Sequence, residues 1–529
     1  VPSDAGTGPI PPTTAKSIAT GLIDVIGMTT DGYLVYFDDT GAVFAADPTG
    51  GKVMVAPSAD AGADGYEGNV TGNYVWLLSN YTTVTKGETV TPVAGTLSVW
   101  SHALGAFTPI AQKSTGIVNI AADGSSIIFT DNSNAAGTVG NIGVVTISGS
   151  TVSAGTDIVT GVGIDSSSTT CPPLGSIDKT YIVTSTCPAL DGGTTFSQAV
   201  INSYNTATST NVVLLNGAIP TNETEGTPIA VDFATDTSGN NVLVVDKTGP
   251  TLAVQGIASA MGTEQTLLDP FTVPAMGSQF FYLSKASDFA LYLTPSGHLV
   301  KSTFATPTSA PVLGTPSTDT VLAVAAISPD EKYDLDESTA IDQGTMYPTS
   351  MAIRDLSTGV ATPLITAGSG DIGLFLTPFT DDVSYVIYTN GLAAVSTPSG
   401  AATVGTLTTA PVTTGVANVI EPATSKVWNA TSIPGVPKGI IYNKNWAPIT
   451  LDSNLPNNDS TADIWITTAD ATSAAAGKQL VVGADAPNYF YITPDGKNMY
   501  FTFSQVTTVD GALALYSTDG LYVMPIPAP

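Results

Sequence analysis

Ile492-Thr-Pro-Asp-Gly-Lys-Asn-Met-Tyr-Phe501 reads as the end of one strand, a tight turn and the start of the next. Proline presets φ in the turn, aspartate bonds its own backbone, and glycine takes the left-handed position. The aromatic, apolar run that follows suits a strand with covered faces. The same plan recurs in Ile327-Ser-Pro-Asp-Glu-Lys332, Ala121-Ala-Asp-Gly-Ser-Ser-Ile-Ile-Phe129 and Met28-Thr-Thr-Asp-Gly-Tyr-Leu-Val-Tyr36. A second half-unit is seen where Met351-Ala-Ile-Arg-Asp-Leu-Ser-Thr-Gly359 precedes Thr362-Pro-Leu-Ile365. It recurs where Ala462-Asp-Ile-Trp-Ile-Thr467 precedes Gln479-Leu-Val-Val482, and where Leu97-Ser-Val-Trp100 precedes Thr108-Pro-Ile110. From Leu22 onward, short runs rich in Val, Ile, Tyr, Phe and Thr alternate with Gly, Asp, Asn, Pro and Ser. The chain is therefore predicted to be all-β, with residues 257–267 as one short helical candidate. Ten candidate units begin near residues 22, 66, 116, 163, 228, 272, 319, 370, 415 and 487, a recurrence of roughly 40–60 residues.

These hairpins resemble the blades of TolB-type and WD-repeat-like β-propellers, whose first hairpin commonly reads Ser-Pro-Asp-Gly-Lys before an apolar strand. Ile492–Phe501 and Ile327–Lys332 carry the likeness most closely, and weaker copies extend it over most of the chain from residue 22. No Trp-Asp pair closes the third strands. The resemblance implies a β-propeller of four-stranded antiparallel blades around a channel, about seven to ten in number, in one wide ring or two smaller rings. A two-ring boundary would fall near residue 270, at Asp269-Pro-Phe-Thr-Val-Pro274. Residues 1–21, rich in Pro, Gly and Thr, are expected to be a flexible segment ahead of the array at 22–529. Propellers host many functions, so the likeness specifies no chemistry.

Composition excludes more than it identifies. Across 529 residues, 44 acids stand against 15 bases, giving a formal charge of −29; the only arginine is Arg354. Fourteen scattered lysines cannot build a phosphate-neutralising stripe, so nucleic acid and anionic lipid are excluded as partners. No apolar run reaches the roughly 18 residues of a membrane helix. Charged residues are 11% of the chain, less than half the usual share of about 25%. Abundant Thr, Ser, Gly and Ala, with a start at Val1 rather than methionine, fits an exported protein at the cell surface. Cys171 and Cys187, the only cysteines, are expected to form a disulfide, with two free thiols of a cytosolic protein as the other reading. Five glycosylation triplets (at Asn69, Asn80, Asn222, Asn429 and Asn458) arise freely in so Thr-rich a chain.

Few residues offer chemistry. His102 and His298 sit at predicted turns, far apart in sequence, and two histidines cannot build a multi-histidine metal centre. Gly368-Ser-Gly-Asp-Ile-Gly373 matches a dinucleotide pattern, but a strand rather than a helix follows it. Asp38/Asp39 and Asp381/Asp382 read as turn acids. In Tyr333-Asp-Leu-Asp-Glu337 the strand alternation puts Asp334 and Asp336 on one face, and with Glu337 they are candidate channel acids. A sialidase-like site would need an arginine cluster, which one arginine cannot supply. Asp60, Asp64 and Glu67, in a glycine-containing loop, are a candidate calcium site. Apart from calcium, no cofactor is expected. Trp446, in a loop-like stretch, is the candidate contact for a sugar or a protein. The sequence thus points to an exported, surface-associated, non-enzymatic scaffold working through protein–protein contact, self-assembly included. The alternative is a secreted carbohydrate-binding or carbohydrate-active propeller, glycosidase- or lyase-like, using acids in its channel.

Overall fold

The computed structural model describes residues 12–529 apart from 22, 58–66, 87–88, 122, 166–172, 178–180, 191–194, 197–199, 217–232, 236–240, 247–250, 259–262, 267–270, 273–280, 285–288, 294–296, 304–311, 315–319, 343–344, 366–371, 398–399, 449–459, 486–489, 504, 510–511 and 517–519. Ten antiparallel sheets built on four strands follow one another through these residues. Blades 1 to 10 span 24–56, 67–114, 117–163, 174–216, 233–266, 281–314, 320–365, 372–421, 430–485 and 491–525. Blades 3 and 5 each carry one short extra strand. The ten follow the ten sequence units in order; the largest offsets are at blades 4 and 9, which open at Leu174 and Ala430. This is a β-propeller build. The helical candidate at 257–267 is instead a hairpin of blade 5, with Thr263–Thr266 paired back onto Gln255–Ala258.

The turn signature has a specific bonding basis. Thr493 Oγ1 accepts the Asn498 N–H at 3.0 Å and donates to Asp495 Oδ1 at 2.7 Å. Ser328, Asp330 and Tyr333 repeat the arrangement, as do Thr380, Asp382 and Tyr385. The hydroxyl thus locks strand spacing while the carboxylate locks the hydroxyl. The strand after this turn is the second of its blade and is covered on both faces. It therefore reads as a continuous apolar run rather than an alternating one. Leu34-Val-Tyr36, Ile127-Ile-Phe129, Val386-Ile-Tyr388, Ile440-Ile-Tyr442 and Met499-Tyr-Phe501 are all fully or almost fully buried. Each such side chain contributes about 1.5–3 kcal/mol by leaving water.

Two compact units divide the chain: Val1–Met54 with Pro316–Pro529, and Val55–Thr315. The first holds blades 7 to 10 and most of blade 1, and the second holds blades 2 to 6. The passage between units falls at Thr315/Pro316, one blade after the 269–274 segment. Within the first unit, separate apolar clusters join blade 7 to 8, 8 to 9, 9 to 10 and 10 to 1. Within the second, clusters join blades 2 to 3 and 3 to 4.

Part of the segment read as a flexible lead is not free. Lys16–Ala19 forms the outermost strand of blade 10, with Lys16 opposite Val523 and Ala19 opposite Leu521. The two ends of the chain therefore complete one sheet.

A further regularity bears on function. Among the described residues, three blades insert a separate hairpin between their second and third strands. These are Ala189–Leu190 with Thr195–Phe196 in blade 4, Ala393–Thr397 with Gly400–Val404 in blade 8, and Gln505–Val509 with Ala512–Tyr516 in blade 10. Blades 2, 7 and 9 lengthen the same connection, through Tyr74–Lys86 with Thr89–Trp100, Tyr333–Asp342 with Thr345–Asp355 and Gly439–Pro448 with Ser460–Thr468. In the first unit, blades 7 to 10 thus carry four successive extended connections of one kind.

Candidate functional site

Blade 7 holds the acids that the sequence singled out. Asp334 and Asp336 lie on its second strand and share a face, while Leu335 turns the other way into the cluster with blade 8. Arg354, on the third strand, stands directly opposite Asp334. Its Nε donates to Asp336 Oδ2 at 2.6 Å, Nη2 contacts the same oxygen, and Nη1 donates to the Gly359 carbonyl at 2.9 Å. The carboxylate that the single arginine hydrogen-bonds is therefore that of Asp336. Asp334 is completely buried, and among the described residues neither of its carboxylate oxygens has a hydrogen-bond partner. Burial, with the Asp336 charge added, pushes it up to about 8, so at neutral pH it carries a proton. Burial also lifts Asp336, against the pull of Arg354. Glu337, raised by burial, falls on the opposite face from the other two.

The predicted trio is therefore a pair with an arginine, and it lines no open channel. Two neighbouring carboxyls, both raised by burial, have the residue types of an acid and base pair. They lack access, since Asp334 and Asp336 are 0% and 3% exposed.

A second buried network, absent from the sequence reading, joins blades 8 and 9. Glu421 is fully buried and accepts from Tyr442 Oη and Lys444 Nζ, both at 2.7 Å, and from Ser425 Oγ at 2.8 Å. The Lys444 ammonium also sits 3.5 Å from the centre of the Trp465 ring. Burial and the neighbouring carboxylate drive the Tyr442 hydroxyl strongly upward, so it stays a donor. The alternation of Tyr442 and Lys444 in Tyr442-Asn-Lys444 was the available signal, but it names no partner.

Trp446 is corrected outright. It is 2% exposed, within the strand Gly439–Pro448, and packs on Val404 and Ala462. The inserted hairpin of blade 8 covers it, so it is not an exposed platform. Trp428 stacks on it at 5.5 Å and is only half-buried. With Leu374, Phe375, Leu376 and Asn429 it lines a shallow cavity of about 240 Å³.

The remaining candidates do not assemble into a site. Asp60, Asp64 and Cys171 lie outside the described residues, and Glu67 opens the strand Glu67–Thr71. Among the described residues no three His, Cys, Asp or Glu side chains are placed to hold a metal. Cys187 is fully buried, and its carbonyl accepts the Gly163 N–H. His102 is exposed in a turn, and Asp382 accepts from Thr380 and Ser384 in another. Gly373 lies in the strand Ile372–Phe379, which removes the dinucleotide reading. Asn429 is buried in the folded chain, whereas Asn69 and Asn80 are exposed. Among the described residues no helix is long and apolar enough to cross a membrane.

No family model matches the chain, and no curated protein matches it by sequence. Among solved structures it is similar to a eukaryotic initiation factor, at 13% identity and a TM-score of 0.45, over 78% of this chain and 91% of that one. It is similar to the Dos1 propeller at 8% identity and a TM-score of 0.37, over 72% and 92%. It is similar to an oligogalacturonate lyase in complex with manganese at 10% identity and a TM-score of 0.32, over 85% and 97%. Likeness at this level assigns no activity.

Proposed function

We propose that this protein is a non-enzymatic propeller scaffold, exported to the cell surface, that works by protein–protein contact, including contact with copies of itself. The observation that carries the reading is the run of extended second-to-third-strand connections on blades 7 to 10. Two of them brace each other, since Val404 of the blade 8 hairpin packs on Trp446 and Ala462 of blade 9. Extended connections of this kind suit recognition of a large partner better than enclosure of a small substrate. The outermost strands add a second attraction: Met54, Val213, Val312, Val419 and Val482 each stand more than half exposed on one. The acid pair of blade 7, walled off from solvent, argues against glycosidase-like chemistry there.

Export is the setting that fits a chain with one arginine, few lysines and a Cys171–Cys187 bridge. The test is light scattering of the full chain across ionic strength and calcium. A charge of −29 opposes self-association, and salt screens it within about 8 Å at physiological strength. Mass should therefore rise with salt. A strict monomer under every condition, with no partner recovered from cell-envelope extracts, overturns the scaffold. Intact mass with and without reductant decides the bridge, and two labelled thiols in the unreduced protein would remove the case for export. Truncation is a poor probe, because loss of residues 1–21 also strips the outer strand of blade 10.

A further inference from the structure

The first strands of blades 2 and 3, both in the second unit, border a cavity of about 440 Å³. Its volume lies within the range of about 300–1,000 Å³ usual for small-molecule sites. Asn69 and Thr71 stand on one wall and Gly116, Ile117 and Asn119 on the other, and Trp76 also lines the cavity. Asn69 is directly opposite Trp76 across the strand pair, and Thr71 Oγ1 donates to Asn69 Oδ1 at 2.8 Å. Asn119 is fixed in place, because its amide donates to the Gly175 carbonyl of blade 4 and its oxygen accepts the Ile120 N–H. Trp76 is fully buried, and among the described residues its Nε1–H has no hydrogen-bond partner. A Cβ added at Gly116 would meet nothing within 4 Å, so this wall is open.

We propose that this cleft binds a neutral carbohydrate of one or two rings. Among the described residues its lining carries no charged side chain, in a chain of net charge −29. A charged ligand would enter without a counter-charge, at a large desolvation cost. A purely apolar ligand would leave the Asn69 amide and the edge-strand backbone groups unpaired. A sugar meets both conditions, with hydroxyls for the amide and edge groups and C–H faces for the aliphatic wall. The inference is independent of the scaffold reading, and either can fail alone.

The test is saturation-transfer NMR and calorimetry on the full chain. Glucose, galactose, N-acetylglucosamine and their disaccharides serve as neutral probes, with glucuronate as the charged control. A neutral sugar should bind and glucuronate should not. The double variant Asn69→Ala, Thr71→Val should weaken binding about tenfold, the loss of two neutral hydrogen bonds, with an unchanged melting temperature. Trp76→Phe should retain binding but lose part of the accompanying change in tryptophan emission. Absence of binding by every neutral probe overturns the proposal. So does equal binding of glucuronate, or full affinity in the double variant. Because Asn69-Val-Thr71 is also a glycosylation triplet, a covalent glycan on Asn69 in native material, seen by intact mass, overturns it as well.

Discussion

Blade 7 and blade 10 open with nearly the same words and bury different chemistry. Ser328-Pro-Asp-Glu-Lys-Tyr333 and Thr493-Pro-Asp-Gly-Lys-Asn498 fold into the same hydroxyl-locked turn. The next three residues are Asp334-Leu-Asp336 in one blade and Met499-Tyr-Phe501 in the other, and all six are buried. In blade 10, Met499 and Phe501 face an apolar cluster shared with blade 9. In blade 7 the same two positions hold carboxyls, one matched by the chain's only arginine and one unmatched. The turn therefore sets the same register in both blades, and in blade 7 Arg354 answers one of the two carboxyls placed there.

The strongest way to break that comparison is to remove the arginine. Arg354→Met leaves the Asp336 carboxylate buried without its partner, beside a protonated Asp334, and breaking a buried pair in this way costs about 3–5 kcal/mol. Urea denaturation should show that loss, and Arg354→Lys, which keeps the charge but not the fork, should recover part of it. A variant as stable as the parent would mean that the carboxyls reach water in solution.

The next effect is opposite in sign. The folded value of Asp334, about 8, lies above its ordinary 3.8, so the unfolded chain ionises first. Its contribution to stability is therefore lost as pH climbs through that window and stays lost above it. Asp334→Val installs the residue that blade 8 has at the matching place, Val386, which is fully buried. We expect the variant to be more stable than the parent by a few kcal/mol at pH near 8, with the gain vanishing below pH 4. Thermal melts across that range decide it. A gain independent of pH would show that packing, not ionisation, separates the two blades.

How much of this was legible beforehand depends on the range of the interaction. The turns were legible because hydroxyl, carboxylate and left-handed residue lie within six positions, and the ten blades followed from their recurrence. The shared face of Asp334 and Asp336 was also legible, from strand alternation. Their burial was not inferred, although alignment with Val386/Tyr388 and Met499/Phe501 places them at covered positions. Trp446 was misread because its cover, Val404, comes from an inserted hairpin some forty residues earlier. Glu421 was missed because two of its three donors, Tyr442 and Lys444, come from a strand of the next blade some twenty residues on. Local bonding reads directly from sequence, whereas packing between blades does not.

The smallest expected effect sharpens the likeness of the two turns. Gly496 has φ +67°, and Glu331, at the same turn position in blade 7, has φ +57°. That left-handed conformation costs a residue with a Cβ about 1–2 kcal/mol, while glycine loses about 0.5–1 kcal/mol more in ordering. Glu331→Gly should therefore stabilise blade 7 by about 0.5–1 kcal/mol on balance. The reciprocal Gly496→Glu should cost more than that gain, at least about 2 kcal/mol, because a Cβ there would stand 2.0 Å from the Pro434 carbonyl oxygen of blade 9. That oxygen is backbone and cannot swing aside. Urea midpoints moving in opposite directions confirm that one turn geometry serves both blades. If both substitutions destabilise, the glutamate is held by contacts that outweigh its backbone strain, and the two turns are alike in shape but not in what maintains them.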